Sequence, residues 1–245
     1  MYGSRGGRSR KRGPRVEVRL GRRGRELRIN GTTASWYDPS LPLTGSVWDA
    51  LAAPLLLLPP ARRRSLLVVG LGGGSAARVV RALAPRCRIT GIEKSREVLA
   101  AARRWLDLDA LGVEVIADDA QDWLARSRRR FDLVIEDVFV GRGRAVRKPD
   151  WLPVPGLSLA ARRLAPGGVL VSNTIDESRS VARELLRLYP SGIGIEIEDF
   201  DNRVLVVGPS SLSGRALRAA VRAEPLFAAT LPRLRFRTLP ARAQR

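Results

Sequence analysis

A glycine-rich segment follows a short apolar run near the middle of the first half of the chain. The run LLVVG at residues 66–70 continues as LGGGS, which places glycines at positions 70, 72 and 74. Glycine lets the backbone approach a ligand closely, and a helix that begins here would direct its N-terminus at an anionic group. The dinucleotide fingerprint needs a further glycine at position 75, which is Ser75. The segment therefore predicts either a different ligand-binding loop or a tight turn without a ligand.

Three further apolar runs end in acidic residues. Glu93 closes the second run, 23 residues after Gly70, where a carboxylate can accept hydrogen bonds from both hydroxyls of a ribose. Asp118, Asp119 and Ala120 follow the third run; a carboxylate there can accept the amino proton of adenine, or it can cap the next helix. Asp137 follows the fourth run and is a candidate base.

These residues need a fold that brings the ends of the four runs together. Strands are predicted at 65–69, 88–92, 113–117, 131–136 and 168–172, with helices beginning near Ser75, Ser95, Asp119 and Trp151. Strands that alternate with helices and are almost entirely apolar indicate a parallel sheet covered on both faces. We predict an α/β fold with a doubly wound, mostly parallel, Rossmann-like sheet, and ligands bind such sheets at the carboxyl ends of the strands.

The remaining segments divide the chain into four parts. Residues 1–15 are predicted to be a disordered basic tail, and residues 16–64 a β-hairpin, a loop with Trp36 and Tyr37, and a helix over 46–58 that Pro54 can kink. Residues 65–222 are predicted to form a nucleoside-binding, Rossmann-like domain, which includes an antiparallel edge pair at 193–198 and 203–207 and a last helix at 211–222. Residues 223–245 are predicted to be a basic C-terminal tail.

Composition excludes several kinds of chemistry. The chain of 245 residues has no histidine and one cysteine, Cys87, which rules out histidine-based catalysis, an internal disulfide and a cysteine-rich zinc site. We therefore expect no metal. No apolar run is long enough to span a membrane and no secretory signal is evident, so we expect a cytoplasmic protein without membrane contact.

The net charge of +20 lies mostly at the two ends. Residues 1–64 have a net charge of +10 and residues 209–245 a net charge of +7. Arginine supplies 41 of the 44 basic residues. We attribute this excess to a coding bias toward arginine and not to a specific function. Contact between these ends and nucleic acid is the alternative, and we do not favour it.

Residues 16–173 resemble the spermidine synthase family, polyamine aminopropyltransferases built on the class I S-adenosylmethionine methyltransferase fold. The similar segments are GRELRINGTTASWYD, LLVVGLGGGSA, ITGIEKS, VIADDAQDWL, FDLVIEDVF and LAPGGVLVSN, and the first loop looks most like the bacterial spermidine-synthase-like branch. The resemblance implies that Gly70, Gly72 and Gly74 line the nucleoside. It also implies that Glu93 binds ribose, that Asp119 with Ala120 binds adenine, and that Asp137 helps to deprotonate the attacking amine.

The sequence departs from the family where the acceptor and the end of the donor would bind. Gly73 stands where the family has an aspartate that meets the donor ammonium, and Val140 replaces the second acid after the fourth strand. Trp48 and Asp49 stand in place of a Tyr-His pair. The nucleoside half of the family pattern is kept, and the polyamine half is largely missing.

Three functions follow as hypotheses. The first is aminopropyl transfer from decarboxylated S-adenosylmethionine to an amine. The second is methyl transfer from S-adenosylmethionine, and the third is a non-catalytic nucleoside- or nucleic-acid-binding module. Arg142, Arg144, Arg147 and Lys148 follow Asp137 closely, so an anionic acceptor is an alternative to an amine, and a homodimer is compatible with the sequence.

Overall fold

A computed structural model describes residues 13–209 and 211–239 of the chain. Eighteen helices and strands lie in these ranges, together with short 3-10 turns. The strands are β1 (Val16–Leu20), β2 (Arg25–Ile29), β3 (Thr32–Tyr37), β4 (Ser65–Val69), β5 (Arg88–Ile92), β6 (Glu114–Ile116), β7 (Phe131–Glu136), β8 (Leu164–Thr174), β9 (Gly192–Ile197), β10 (Arg203–Val207) and β11 (Leu234–Leu239). The helices are α1 (Val47–Ala52), α2 (Ser75–Leu83), α3 (Arg96–Trp105), α4 (Ala120–Arg126), α5 (Gly156–Ala161), α6 (Ser178–Leu188) and α7 (Gly214–Ala223).

The central sheet has eight strands in the order β11-β9-β10-β8-β7-β4-β5-β6. Strands β4 to β8 pair in parallel, whereas β10 pairs antiparallel with both β8 and β9. Chain order reverses on either side of β4, which creates a crevice above the carboxyl ends of β4 and β7. The predicted α/β class and the mostly parallel sheet are confirmed.

Apolar clusters cover both faces of this sheet. One cluster joins Val68 and Ile135 to residues of α1, α2 and α7, and the other joins Leu67 and Val134 to residues of α4, α5 and α6. Every residue of β7 is buried, as expected for a strand covered on both faces. The two layers of helices leave the carboxyl ends of the strands free for a ligand.

The predicted N-terminal hairpin is present as β1 and β2, and β3 extends it to a three-stranded antiparallel sheet. The third strand, β3, contains Trp36 and Tyr37, which the sequence analysis assigned to a loop. Asn30 and Gly31 connect β2 to β3 with φ angles of 52° and 83°, and Asn-Gly is the strongest short hairpin signal in sequences. The sheet packs Leu27 and Tyr37 against Val98 and Leu106, in and next to α3.

Prolines account for two further differences from prediction. The helix predicted over 46–58 is helical only to Ala52 and continues as a 3-10 segment, because Pro54 has no backbone N–H to donate. The helix predicted from Trp151 begins at Gly156, after Pro153 and Pro155.

The last helix begins three residues later than predicted, after the Ser213 N-cap.

The sheet also continues beyond residue 222, where the sequence analysis placed a basic tail. Strand β11 pairs antiparallel with β9 from Leu234 to Leu239. Its arginines alternate with Leu234 and Phe236, so one side of the strand faces the core. The residues of both predicted tails at 1–12 and 240–245 lie outside the described part of the chain.

No helix among the described residues is long and apolar enough to cross a membrane.

Candidate active site

A cavity of about 910 Å³ lies at the carboxyl ends of the parallel strands. Of the predicted site residues, Gly70, Gly72, Glu93, Asp119, Ala120 and Asp137 line it, and Gly74 does not. The cavity divides at β4 because the loops after β5 and β6 lie on one side and those after β7 and β8 on the other. We call the first side the donor half and the second side the acceptor half, after the roles that the resemblance implies for them.

The glycine loop adopts a backbone that side chains would disrupt. Gly70 has a φ of +86°, and a Cβ there would lie 2.6 Å from the backbone oxygen of Asp137. Gly72 has a φ of +54° and offers its backbone to the cavity. Gly74 lies behind the loop as the N-cap of α2, where a Cβ would meet Leu108. The loop thus places two glycines at the cavity and uses the third for packing.

The N-terminal sheet holds the glycine loop from outside. The Gly73 amide donates to Ser35 Oγ at 2.6 Å, and Ser75 Oγ donates to the Trp36 carbonyl while accepting from the Trp36 amide, both at 2.8 Å. A Cβ at Gly73 would lie 2.5 Å from Leu106 and 2.8 Å from Ser35 Cβ. A side chain at position 73 would therefore require Ser35 and Leu106 to move, which explains the glycine physically.

Glu93 binds the backbone on both sides of the donor half. Its Oε2 accepts from the Gly72 amide at 3.1 Å, and its Oε1 accepts from the Ser95 amide at 3.0 Å. Each carboxylate oxygen has two acceptor positions, so both retain one for a ligand hydroxyl. Glu93 lines the cavity as predicted, and it also shapes the loop that would bind the ligand.

The sequence left open whether the aspartates after β6 cap the next helix or face a ligand. Asp119 is the N-cap of α4, with Oδ1 accepting from the Gln121 amide at 2.9 Å, while its Oδ2 lies 3.8 Å from Lys94 Nζ. Asp118 is paired with Arg126. Both aspartates and Ala120 line the cavity, so Asp119 caps a helix and faces the cavity at once.

Asp137 faces the acceptor half at the end of β7. Asn173 Nδ2 donates to its Oδ1 at 2.7 Å, and Asn202 Nδ2 donates to Asn173 Oδ1 at 3.0 Å. Burial raises the pKa of Asp137 to about 6, although the hydrogen bond from Asn173 and the charge of Lys148 act in the opposite direction. A carboxyl with this pKa is ionised at neutral pH and can accept a proton there.

A buried ion pair lies beneath Asp137. Lys148 Nζ donates to Glu136 Oε1 and Oε2 at 2.7 and 2.9 Å, and Ser172 Oγ donates to Oε2 at 2.6 Å. Only 2% of the Lys148 side chain and 1% of the Glu136 side chain are exposed. The pair ties the segment after β7 to the sheet and neutralises the Lys148 charge.

The basic residues after Asp137 do not line the cavity. Gly141 and Val146 contribute to its wall, but Arg142, Arg144 and Arg147 are exposed. Arg147 also pairs with Asp150 at 2.8 Å. Together with the buried Lys148, this placement means that the basic stretch at 142–148 gives no support to an anionic acceptor.

Several cavity residues were missed by the sequence analysis. Asn173 lies one residue past the predicted end of β8, and the rule that ligands bind at the carboxyl ends of strands could have identified it. Phe200 and Asn202 come from the β9–β10 turn, and Arg233 comes from the predicted C-terminal tail. Nothing local in the sequence marks these three positions as part of a site.

The side chains of Trp48 and Asp49 point to different parts of the structure. Trp48 lines the cavity, whereas Asp49 points to the loop before α1 and accepts from Thr44, Gly45 and Thr230. Burial raises the pKa of Asp49. Asp49 thus stabilises the 44–46 loop that forms one wall of the cavity.

Comparisons with known proteins agree with this geometry. A family model described as a methyltransferase domain matches residues 66–168. The chain aligns over 93% of its length with a probable spermidine synthase from Corynebacterium glutamicum, covering 88% of that chain with a TM-score of 0.73 and 20% identity. The fold is that of a class I methyltransferase.

Two further proteins are similar to parts of this chain. A probable polyamine aminopropyl transferase from Bifidobacterium longum is 31% identical over 133 residues, which make up 54% of this chain and only 28% of that protein. Human methyltransferase-like protein 13, solved in complex with SAH, aligns over 77% of this chain and 93% of its own, with a TM-score of 0.61 and 24% identity. The resemblance to spermidine synthases is confirmed.

Within 13–209 and 211–239, no group of three or more His, Cys, Asp or Glu side chains could hold a metal ion.

Proposed function

We propose that the protein is a spermidine-synthase-like transferase that moves an aminopropyl group from decarboxylated S-adenosylmethionine to an amine. The observation that carries this proposal is the position of Asp137, a partly buried carboxyl in the same cavity as Glu93 and the glycine loop. The sequence similarity to a probable polyamine aminopropyl transferase supports the same reaction. We place this activity in the cytoplasm.

The donor half fits an adenosine group. Gly70 and Gly72 leave space beside the backbone, Glu93 retains an acceptor position on each oxygen, and Asp119 has a carboxylate oxygen directed away from its helix cap. In this proposal Glu93 binds the ribose hydroxyls, and Asp119 with Ala120 binds adenine. The bound donor supplies an alkyl group activated by its positive sulfur.

The acceptor half supplies the base. Asp137 would accept a proton from the amine nitrogen as that nitrogen forms a bond to the alkyl carbon and the carbon–sulfur bond breaks. Asn173 binds the carboxylate, and Asn202 in turn binds Asn173. The Asp137 side chain is thus already fixed in position before the amine reacts. The products are the alkylated amine and a neutral thioether nucleoside.

Methyl transfer from S-adenosylmethionine is the second candidate, and the packing of Gly73 favours it. Position 73 is a glycine packed against Ser35 and Leu106, so the ammonium of an aminopropyl group would lack an acidic partner there. An intact methionine carboxylate would then meet no repulsion from the loop. The two reactions use the same nucleoside site and differ in the donor.

Calorimetric titration with both donors and with methylthioadenosine tests the proposal. We expect all three to bind, with the decarboxylated donor about tenfold tighter than S-adenosylmethionine, a difference of about 1.4 kcal/mol. Mass spectrometry should then show an amine product enlarged by one aminopropyl group. Tighter binding of S-adenosylmethionine and a methylated product would establish the second candidate, and no binding of any of the three would refute both.

A further inference from the structure

We infer that the acceptor is a monoamine with an apolar, aromatic body and not a polyamine. This inference rests on the proposed function and names the substrate class of the same cavity. It comes from the charges and side chains of the acceptor half.

Asp137 is the one acid that follows β7 or β8 among the described residues that line the cavity. Glu93, Asp118 and Asp119 line it from the loops after β5 and β6. Glu26 lines it from the N-terminal sheet, where its carboxylate is already paired with Arg28 and accepts from Thr33. A polyamine carries at least two ammonium groups, and Asp137 can pair with one of them.

Arg233 places a positive charge on the cavity wall. Its Nη1 donates to the Gly45 carbonyl at 2.6 Å, and its Nη2 donates to the Glu198 carbonyl at 3.2 Å. The acid nearest to its guanidinium is Asp199, at 3.3 Å, whose side chain is 80% exposed. The hydrogen bonds fix the guanidinium beside the cavity, where it repels the second ammonium of a diamine.

Aromatic side chains form much of the cavity wall near Asp137 and Arg233. Three of the five tryptophans of the chain line the cavity. Two of them, Trp48 and Trp151, lie on the acceptor half together with Phe139 and Phe200. Aromatic rings contribute large apolar contact areas and favour offset or edge-to-face packing with another ring. A ring-bearing amine can bury its body here while its nitrogen reaches Asp137.

The first experiment measures acceptor binding to the protein saturated with methylthioadenosine. The calorimetric probes are 2-phenylethylamine, tryptamine, butylamine and putrescine; the last two differ mainly by one ammonium group. We expect the two arylalkylamines to bind at least about tenfold tighter than putrescine, and butylamine to bind no weaker than putrescine, since burial of an unpaired charge is costly.

A pair of variants tests the charge argument. Val140 lines the acceptor half, and its backbone bonds to Arg147 do not depend on its side chain. Val140→Asp adds a second acid and should tighten putrescine binding by about tenfold or more, because hydrogen bonds to charged groups are the strong ones. Val140→Asn has nearly the same size without the charge, and we expect its putrescine affinity to stay within about twofold of wild type.

The outcomes separate this inference from the proposed function. If methylthioadenosine binds and wild-type protein prefers putrescine, the acceptor class is wrong and the transferase proposal stands. If no arylalkylamine binds, or if Val140→Asp gains nothing for putrescine, the inference is also wrong. If methylthioadenosine itself does not bind, the inference falls together with the proposed function.

Discussion

The two halves of the cavity are built in different ways. In the donor half, the backbone of the glycine loop, Glu93 and the residues at 118–120 follow directly after three neighbouring strands. In the acceptor half, the side chains come from β7 and β8, from the 44–48 segment, from the β9–β10 turn and from Arg233 near the C-terminus. The donor half is local in sequence, and the acceptor half is assembled from segments up to 188 residues apart.

Because of this difference, substitutions can alter the acceptor half more readily than the donor half. The donor half depends on positive-φ glycines and on backbone amides bound by Glu93, so few residue types are compatible with it. The acceptor half depends on side chains at loop positions such as Val140 and Phe200, which can change without disturbing the sheet. Under the proposed function, a fold with a constant nucleoside site can therefore serve different acceptors.

The largest expected effect separates chemistry from donor binding. Asp137→Asn should lower kcat by about a hundredfold to ten-thousandfold, as expected when a general base is lost, while donor affinity stays within about twofold. Steady-state turnover and donor calorimetry measure the two quantities. Asp150→Asn is the matched control, because Asp150 is an exposed acid in the next segment. A comparable loss of donor affinity in Asp137→Asn would contradict the division into halves.

The donor half should respond in the opposite way. Glu93→Ala should weaken binding of methylthioadenosine by about tenfold to a hundredfold, since hydrogen bonds to a charged group contribute about 1.5–3 kcal/mol. Glu97→Ala is the control, because Glu97 is an exposed acid close by that does not line the cavity. Equal affinity in wild type and Glu93→Ala would remove the proposed ribose site.

A smaller effect concerns the pH dependence of Asp137. Its pKa of about 6 means that the base is ionised above pH 6 and that kcat/KM falls as pH drops below this value. Asn173→Ala removes a hydrogen bond that lowers the pKa, so the acidic limb of the kcat/KM profile should move to higher pH. Asn202→Ala breaks only the outer bond to Asn173 and should move the limb less. An unchanged limb in Asn173→Ala would assign that limb to another group.

The smallest effect concerns the exposed arginines of the acceptor side. The double change of Arg142 and Arg144 to Ala should leave kcat/KM within about twofold of wild type at low and at high salt, because neither side chain lines the cavity and exposed charges are screened by salt. Turnover at two ionic strengths measures this. A strong salt-dependent loss would show that these arginines steer a charged acceptor, and would restore the anionic alternative.

Local patterns account for the parts of the fold that were predicted correctly. The bounds of β4, β5, β7 and β10 agree with the prediction, because each is a short apolar run between turn residues. Glu93 and Asp137 were found because each directly follows a strand, and Asp119 because it lies three residues after β6; parallel strands end at one edge of the sheet.

Long-range packing accounts for the differences. β11 has arginine at alternate positions and looks like a solvated tail, and only pairing with β9 makes it a strand. Lys148 looks like part of an exposed basic stretch, and only the fold brings it within 2.7 Å of Glu136. Neither contact leaves a periodic signal, because the partners are distant in the chain or come from different elements.

The amino-acid sequence by itself determined the α/β class, the glycine loop and the acidic residues of the donor half. These follow from hydrophobic periodicity and from the short-range geometry of strand, loop and helix. Only the tertiary structure decided that Gly73 packs against Ser35 and Leu106, that Arg233 and Phe200 reach the cavity, and that the Lys148 charge is buried. The physical reason is that the net charge and shape of the acceptor half depend on which distant side chains meet there, and this is set by the packing of the whole chain.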